Sequence, residues 1–159
     1  MTKRIDYARQ SPELMKAYSA FSAAVRHSVL DVMTRNLVQI RASQMNGCSF
    51  CLDMHVKEAK IAGERELRLY HVAIWRESDL FNAKERAALE WTEALTKLSE
   101  HGVSDAIYDE VRQVLSEKEI SDLSFAVMAI NGWNRLSIGF RAVPGSDDAL
   151  YGLEKAGLT

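Results

Sequence analysis

The two cysteines of the chain, Cys48 and Cys51, lie three positions apart and are followed by His55, one of only four histidines. In a helix that begins near Cys48, residues three and four positions apart share one face. The two thiols and the imidazole would then lie together. Such a pair can cycle between dithiol and disulfide, provided that one thiol ionises to the nucleophilic thiolate.

The turn before the cysteines favours that ionisation. Asn46-Gly47 is a turn signal, which predicts that the cysteines lie in the first turn of the helix that follows. A free thiol has a pKa of about 8.5, and a helix N-terminus or a neighbouring imidazole lowers it. The helix dipole favours a thiolate at Cys48, whereas His55 favours one at Cys51. The spacing alone leaves open which thiol attacks.

Three other uses of this motif were weighed. A structural zinc site needs four ligands, so His27, His71 or His101 would have to supply the fourth. A c-type haem attachment is excluded, because Leu52 stands directly after the second cysteine where that motif requires histidine. Two buried structural cysteines beside an unrelated histidine are the third interpretation. On spacing alone, the zinc and structural interpretations stay open.

Composition indicates one soluble globular domain. The chain has 159 residues, of which 47% are hydrophobic and 26% charged, so we interpret 1–159 as a single domain with a core of about 6–140 and a tail of 143–159. The net charge of −2 provides no electrostatic attraction for DNA or RNA, and we expect no nucleic-acid partner.

The chain shows no targeting or membrane-spanning pattern. Charged residues interrupt the N-terminal segment, which argues against a signal peptide. The longest wholly apolar run, Phe125 to Ile130, is far short of a membrane span. We therefore expect a cytoplasmic protein without a membrane partner. In a reducing compartment, a Cys-x-x-Cys pair is more often catalytic or metal-binding than structural.

The periodicity predicts an all-α protein. Only Pro12 and Pro144 interrupt the chain, both near its ends, and apolar residues recur at helical spacing between them. We predict seven helices and a short terminal one: 12–26, Asp31 to Asn46, Cys48 to Ala62, Glu66 to Arg76, Asn82 to Gly102, from Ser104, Ser116 to Phe140, and Asp147 to Lys155.

Two of these helices have distinctive faces. In the third, the pattern predicts that Val56 and Ala59 pack inward while Lys57, Glu58 and Lys60 face water. In the seventh, Phe125 to Ile130 is apolar on nearly every side. A chain this short has few helices to cover such a surface, so we expect a homo-oligomer. The polar cluster Asn131 to Arg135 follows this run, and we interpret it as fixing helix packing or a subunit contact.

The run from Leu37 to His55 resembles the AhpD-like alkylhydroperoxidase family of the carboxymuconolactone decarboxylase superfamily. Segments Arg4 to Tyr7, Glu85 to Glu93 and Ala129 to Arg135 resemble it too. The resemblance implies an all-helical fold of about seven helices, with the Cys-x-x-Cys motif at the start of the third. It also implies a homo-oligomer, trimeric or hexameric, and a thiol-dependent peroxidase that needs no cofactor or metal.

The resemblance assigns a role to each site residue. Cys51 corresponds to the peroxidatic nucleophile, Cys48 to the resolving thiol and His55 to the base that helps to deprotonate Cys51. The substrate implied is a peroxide. The partner implied is an external dithiol, lipoyl-type in the best-known members, or another disulfide-reducing protein.

Two positions depart from the family pattern. The family's relay glutamate lies twelve residues before the first cysteine, and Asn36 occupies that position here. An amide cannot carry a proton as a carboxylate does. Phe50 stands where some members have a histidine. These departures keep open a general thiol-disulfide oxidoreductase or redox sensor with weak peroxidase activity. A decarboxylase-like member is the other alternative, although paired cysteines would be unnecessary for it.

Overall fold

The computed structural model describes residues 2–158, and this part of the chain is built from helices joined by short turns. The α-helices are α1 (Tyr7–Gln10), α2 (Pro12–Arg26), α3 (Val32–Asn46), α4 (Ser49–Ile61), α5 (Glu66–His71), α6 (Ala83–Thr96), α7 (Asp105–Arg112), α8 (Glu117–Phe140) and α9 (Asp148–Tyr151). The predicted all-α class is confirmed. The Cys-x-x-Cys motif lies at the start of α4, the third of the long helices.

Local capping explains most helix starts. Asn82 and Glu85 form a complete capping box at α6, and Ser116 and Glu119 form another at α8. Asp31 caps α3 by accepting the backbone N–H of Thr34 at 2.9 Å. These starts agree with the sequence prediction. The short helix α1 had not been predicted.

The predicted helix from Glu66 to Arg76 is wrong beyond His71. Helix α5 ends there, and a 3₁₀ segment, Val72–Glu77, continues the chain through a non-helical Ile74 (φ −121°, ψ 28°). This bend leaves Ile74 exposed and turns Trp75 into the core, where its indole N–H donates to Glu93 Oε1 at 2.8 Å. Packing of the indole thus prevails over the helical pattern.

The predicted terminal helix from Asp147 to Lys155 is also divided. Gly152 adopts a left-handed backbone (φ 67°) that ends α9, and a 3₁₀ segment, Leu153–Ala156, follows. This C-terminal segment packs on α4. The ammonium of Lys57 bridges Asp53 Oδ2 at 2.8 Å and Asp148 Oδ2 at 2.6 Å, which holds the segment in place.

Helix α3 lies at the centre of the molecule, packed against α4, α6 and α8. Its residues Leu37, Val38 and Ile40 are almost completely buried. One apolar cluster fills the space between α3 and α4 to α6, and a second lies among α2, α6, α7 and α8. The C-terminal end of α3, and with it the turn that carries the cysteines, packs against the middle of α8.

Helix α8 is only partly central. Ala126, Val127 and Ile130 are buried, whereas Phe125 and Met128 are 48% and 59% exposed. The apolar run predicted to be central or covered by an interface is thus buried on one side and exposed on the other. Across residues 2–158, no helix is both long and apolar enough to span a membrane.

Candidate active site

The turn between α3 and α4 positions the two cysteines. Gly47 takes a left-handed backbone (φ 69°) that ends α3, and its own N–H bonds back to the helix. Cys48 is then the N-cap of α4, where its sulfur accepts the backbone N–H of Cys51 at 3.3 Å. The predicted position of both cysteines in the first turn is confirmed.

Both thiols are free and nearly inaccessible to solvent. Cys48 is 2% exposed and Cys51 is 3% exposed. They pack with Ala42 of α3 and Ile130 of α8, and Trp133 lies against this small cluster. A reagent that reaches the sulfur atoms must therefore be small or must enter through a narrow opening.

Hydrogen bonding distinguishes the two thiols. The bond from the Cys48 thiol lowers the pKa of Cys51 to about 6, against the opposing effect of burial. Ser137 and Asn134, both on α8, also lower the pKa of Cys51, and the charge of His55 acts in the same direction. The pKa of Cys48 is raised, because this thiol keeps its proton to donate it to Cys51 and is itself buried. Cys51 is thus the thiol that ionises first.

The amide of Asn134 is held in one orientation. Its Oδ1 accepts from Asn46 Nδ2 at 2.8 Å, and its Nδ2 donates to Ser43 Oγ at 3.1 Å. The side chain is completely buried, and it acts to lower the pKa of Cys51. The sequence places Asn134 in a packing cluster and does not single out Ser137, since both lie more than eighty positions from the cysteines.

The remainder of the Asn131 to Arg135 cluster supports packing. Asn131 accepts from Asn46 Nδ2 at 2.9 Å and donates to Thr96 Oγ1 at 3.0 Å, which links α3, α6 and α8. Arg135 in turn donates to the Asn131 side chain at 3.1 Å. The cluster therefore fixes helix packing, as expected, and in addition provides one contact with the thiols through Asn134.

His55 lies on the same face of α4 as the cysteines and is 7% exposed. Its Nδ1 is 2.7 Å from Glu58 Oε2, one turn further along the helix. The prediction that Glu58 and Lys57 face water is wrong. Lys57 is drawn inward by Asp53 and Asp148, whereas Glu58 pairs with His55. The i,i+3 spacing of His55 and Glu58 was a signal that could have revealed this pair.

The Glu58 carboxylate also faces two guanidinium groups. Arg26 lies 3.9 Å from its Oε1, and Arg35 acts on it at longer range. Burial alone would raise the pKa of Glu58, but the hydrogen bond with His55 and the two positive charges lower it. The carboxylate is therefore ionised at neutral pH.

Asn36, the position of the family's relay glutamate, is 4% exposed on α3. Its Nδ2 is a buried donor for which the described residues provide no hydrogen-bond partner. The hydrogen-bond partner of the His55 ring at Nδ1 is therefore Glu58 and not Asn36.

The N-terminal segment lies near the dithiol as well. Arg4 donates to Gly139 O at 2.9 Å and anchors this segment to the end of α8. The pKa of Tyr7 is raised by burial and by the negative charge of Cys51, which places its hydroxyl within the electrostatic range of the thiolate. Tyr7 also lines an apolar cavity of about 800 Å³ between α2 and α8. Sequence patterns did not single out Tyr7.

Among residues 2–158, no group of three or more His, Cys, Asp or Glu side chains is arranged to hold a metal ion. His71, one possible fourth zinc ligand, bonds Ser78 Oγ through Nδ1 at 2.9 Å. The side chains around the dithiol are instead hydrogen-bond donors and one base.

Comparison with known proteins gives the family. Residues 12–94 match the carboxymuconolactone decarboxylase family. The chain belongs to that family. YdfG of Bacillus subtilis, an uncharacterized protein, is 40% identical over 138 residues, which cover 87% of this chain and 94% of YdfG.

Solved structures place this family member in the AhpD-like group. ATU0492 from Agrobacterium tumefaciens, of unknown function and suggested to be the antioxidant defence protein AhpD, matches with a TM-score of 0.86 and 41% identity, covering 90% of this chain and 98% of that one. The debrominase Bmp8 shares the fold with a TM-score of 0.78 at 17% identity, covering 92% of this chain and 78% of Bmp8. The AhpD-like fold inferred from the sequence is confirmed, and the fold serves more than one chemistry.

Proposed function

We propose that this carboxymuconolactone decarboxylase family member is a thiol-dependent peroxidase that reduces hydroperoxides through Cys51 and Cys48. The observation that carries the proposal is the placement of two buried thiols in the first turn of α4, with the buried His55 one turn further along the same helix. The Cys48 thiol, Ser137 and Asn134 all stabilise a thiolate at Cys51. A buried thiolate beside an imidazole is the nucleophile that peroxide reduction needs.

The proposed reaction conserves atoms and electrons. The Cys51 thiolate attacks the terminal oxygen of the hydroperoxide, so a sulfur–oxygen bond forms while the oxygen–oxygen bond breaks. The departing alkoxide takes a proton and leaves as the alcohol. Cys48 then attacks the sulfenic acid of Cys51, which forms the disulfide and releases water. An external dithiol returns both cysteines to thiols by exchange.

Burial of the site favours a slender reductant. With both cysteine residues at most 3% exposed, a folded protein cannot bring its own thiol to the disulfide without rearrangement. A small dithiol on a flexible arm, such as a lipoyl group, meets this requirement better than a rigid protein surface does. The same restriction argues against general disulfide exchange with large partners.

Peroxide consumption tests the proposal. Reduced protein is mixed with excess cumene hydroperoxide and dihydrolipoamide, and the peroxide remaining is measured over time. A peroxidase consumes many equivalents per chain, whereas a sensor stops after one. Cys51→Ser is the negative control. Loss of no more than one equivalent of peroxide per chain in the native protein would refute the proposal.

A second candidate is a thiol redox sensor: Asn36 is a buried amide, which cannot carry a proton, and its Nδ2 has no hydrogen-bond partner among residues 2–158. Without a relay carboxylate at that position, the dithiol would oxidise but turn over slowly. A decarboxylase-like activity has less support, since it would give the hydrogen-bonded pair of thiols no role.

A further inference from the structure

The contact between His55 and Glu58 has the geometry of an oriented general base. Nδ1 of the ring and Oε2 of the carboxylate are 2.7 Å apart, with the two side chains 9% and 27% exposed. An ionised carboxylate is a hydrogen-bond acceptor only, so Nδ1 must carry the proton. The other ring nitrogen, Nε2, is then the acceptor in the neutral imidazole.

Charged groups from three helices face this pair. On α4 itself the Cys51 thiolate interacts with His55. Arg26 of α2 approaches Glu58 to 3.9 Å, and Arg35 of α3 carries a second positive charge near it. Asp31, just before α3, partly offsets Arg35. The two guanidinium groups keep Glu58 ionised and in place.

We propose that Glu58 is the positioning carboxylate of this active site and orients His55 from one turn further along α4. The inference rests on the proposed peroxidase function. Glu58 accepts the Nδ1 hydrogen of His55 and thereby directs Nε2 to take the proton of the Cys51 thiol. It touches neither the peroxide nor the reacting sulfur.

The proton follows a closed route. His55 takes the proton from Cys51, and the resulting imidazolium is stabilised by Glu58 through the Nδ1 hydrogen bond. When the oxygen–oxygen bond breaks, the imidazolium returns this proton to the departing alkoxide, which becomes the alcohol. Glu58 stays a carboxylate throughout, as the acid does in other His–carboxylate pairs. No relay residue at Asn36 is needed to complete this route.

The first test is spectroscopic and needs no turnover. Nitrogen-15 NMR of the labelled histidines distinguishes an Nδ1–H ring from an Nε2–H ring. In the native protein, neutral His55 is expected as the Nδ1–H form, and Glu58→Gln should shift it toward a mixture. Glu66→Gln is the matched control, because Glu66 pairs with Lys60 of α4 away from the site. An unchanged ring signal in Glu58→Gln would overturn the proposal.

The second test measures rates. Glu58→Gln should lower the single-turnover rate with peroxide by about 10- to 100-fold, a typical loss when an orienting partner is removed. It should also move the pH profile of Cys51 alkylation by iodoacetamide to higher pH, since the charged ring that favours the thiolate is less stable. Glu58→Asp, which keeps the charge but shortens the side chain, should retain more of the rate than the isosteric Gln.

These measurements separate two kinds of failure. If the native protein does not reduce peroxide while Glu58→Gln still alters the ring signal and the alkylation profile, the proposed peroxidase function fails and the positioning role stands. If Glu58→Gln and Glu66→Gln both match the native protein in ring signal, profile and rate, the positioning role fails. Thermal unfolding of each variant shows whether it is folded. If Glu58→Gln is not folded, the ring signal and the rate of Glu58→Asp test the positioning role instead.

Discussion

Asn46 and Asn134 are joined by a hydrogen bond of 2.8 Å from the Asn46 amide nitrogen to the Asn134 amide oxygen. Asn46 is the last residue of α3, directly before the dithiol turn, and Asn134 is completely buried in α8. The bond therefore connects the turn that carries the cysteines with the donor that stabilises their thiolate. Together with the bond from Asn134 Nδ2 to Ser43 Oγ, it fixes the orientation of the Asn134 amide.

The first prediction concerns this donor. Asn134→Asp replaces an N–H donor by an anion beside the thiolate, so the pKa of Cys51 should rise. A hydrogen bond to a charged group contributes about 1.5–3 kcal/mol, which corresponds to about one to two pKa units. The pH dependence of alkylation measures it. Ser121→Asp, which adds an anion on the exposed side of the same helix, is the control and should leave the profile close to native. Equal shifts in both variants would contradict the assigned contact.

The second prediction is the pH dependence of the native thiol. The pKa of Cys51 is lowered to about 6, so the thiolate predominates at neutral pH and iodoacetamide reactivity should fall by half near pH 6. An unperturbed thiol with a pKa of about 8.5 would lose reactivity well above neutrality. For the same reason, the contribution of this thiolate to stability is complete above about pH 8.5 and disappears as the pH falls through 6. A midpoint above 8 would contradict the lowered pKa.

The third prediction tests packing behind the site. A Cβ atom at Gly132 would lie 1.9 Å from the Tyr18 hydroxyl oxygen, which donates to Ala129 O at 2.7 Å. Gly132→Ala should therefore lower the free energy of unfolding by about 1–3 kcal/mol, the usual range for overpacking. Gly139→Ala, in the same helix with open space around it, should be neutral or slightly stabilising. Urea denaturation compares the two, and equal stability would refute the contact.

The fourth prediction is self-association. Phe125 and Met128 of α8 are about half exposed, and Leu14 of α2 is 73% exposed. Burial of such side chains against a second copy is favourable. We expect light scattering to give a multiple of the 17.9 kDa chain mass, and Met128→Lys to reduce it. A native protein that stays at the single-chain mass at micromolar concentration would exclude this expectation.

Much of the fold could be predicted because its signals are local. Asn82 with Glu85, Ser116 with Glu119, and Gly47 each act within one turn of the chain, and the structure confirms all three. The predicted helix boundaries are wrong where contacts between residues far apart in the sequence determine the backbone conformation. The bend at Ile74 depends on Glu93 receiving the Trp75 indole, a contact across eighteen positions that periodicity does not indicate.

The candidate site divides in the same way. Cys48, Cys51 and His55 are linked by helical spacing and were identified from the sequence. Asn134 and Ser137 come near Cys51 only when α8 packs against α3 and α4, so their effect on Cys51 cannot be predicted from a local motif. The charged run that contains Glu58 and Lys57 predicts a solvated face, whereas the i,i+3 spacing of Glu58 from His55 favours the contact that the structure shows.

The most direct test of the account is the location of the sulfenic acid. Reduced Cys48→Ser and Cys51→Ser proteins are each treated with one equivalent of peroxide in the presence of dimedone, and the adducts are mapped by mass spectrometry. The account predicts an adduct on Cys51 in Cys48→Ser, with no turnover, and none on Cys48 in Cys51→Ser. An adduct on Cys48 in Cys51→Ser, with Cys51 unmodified in Cys48→Ser, would contradict the assignment of Cys51 as the attacking thiol.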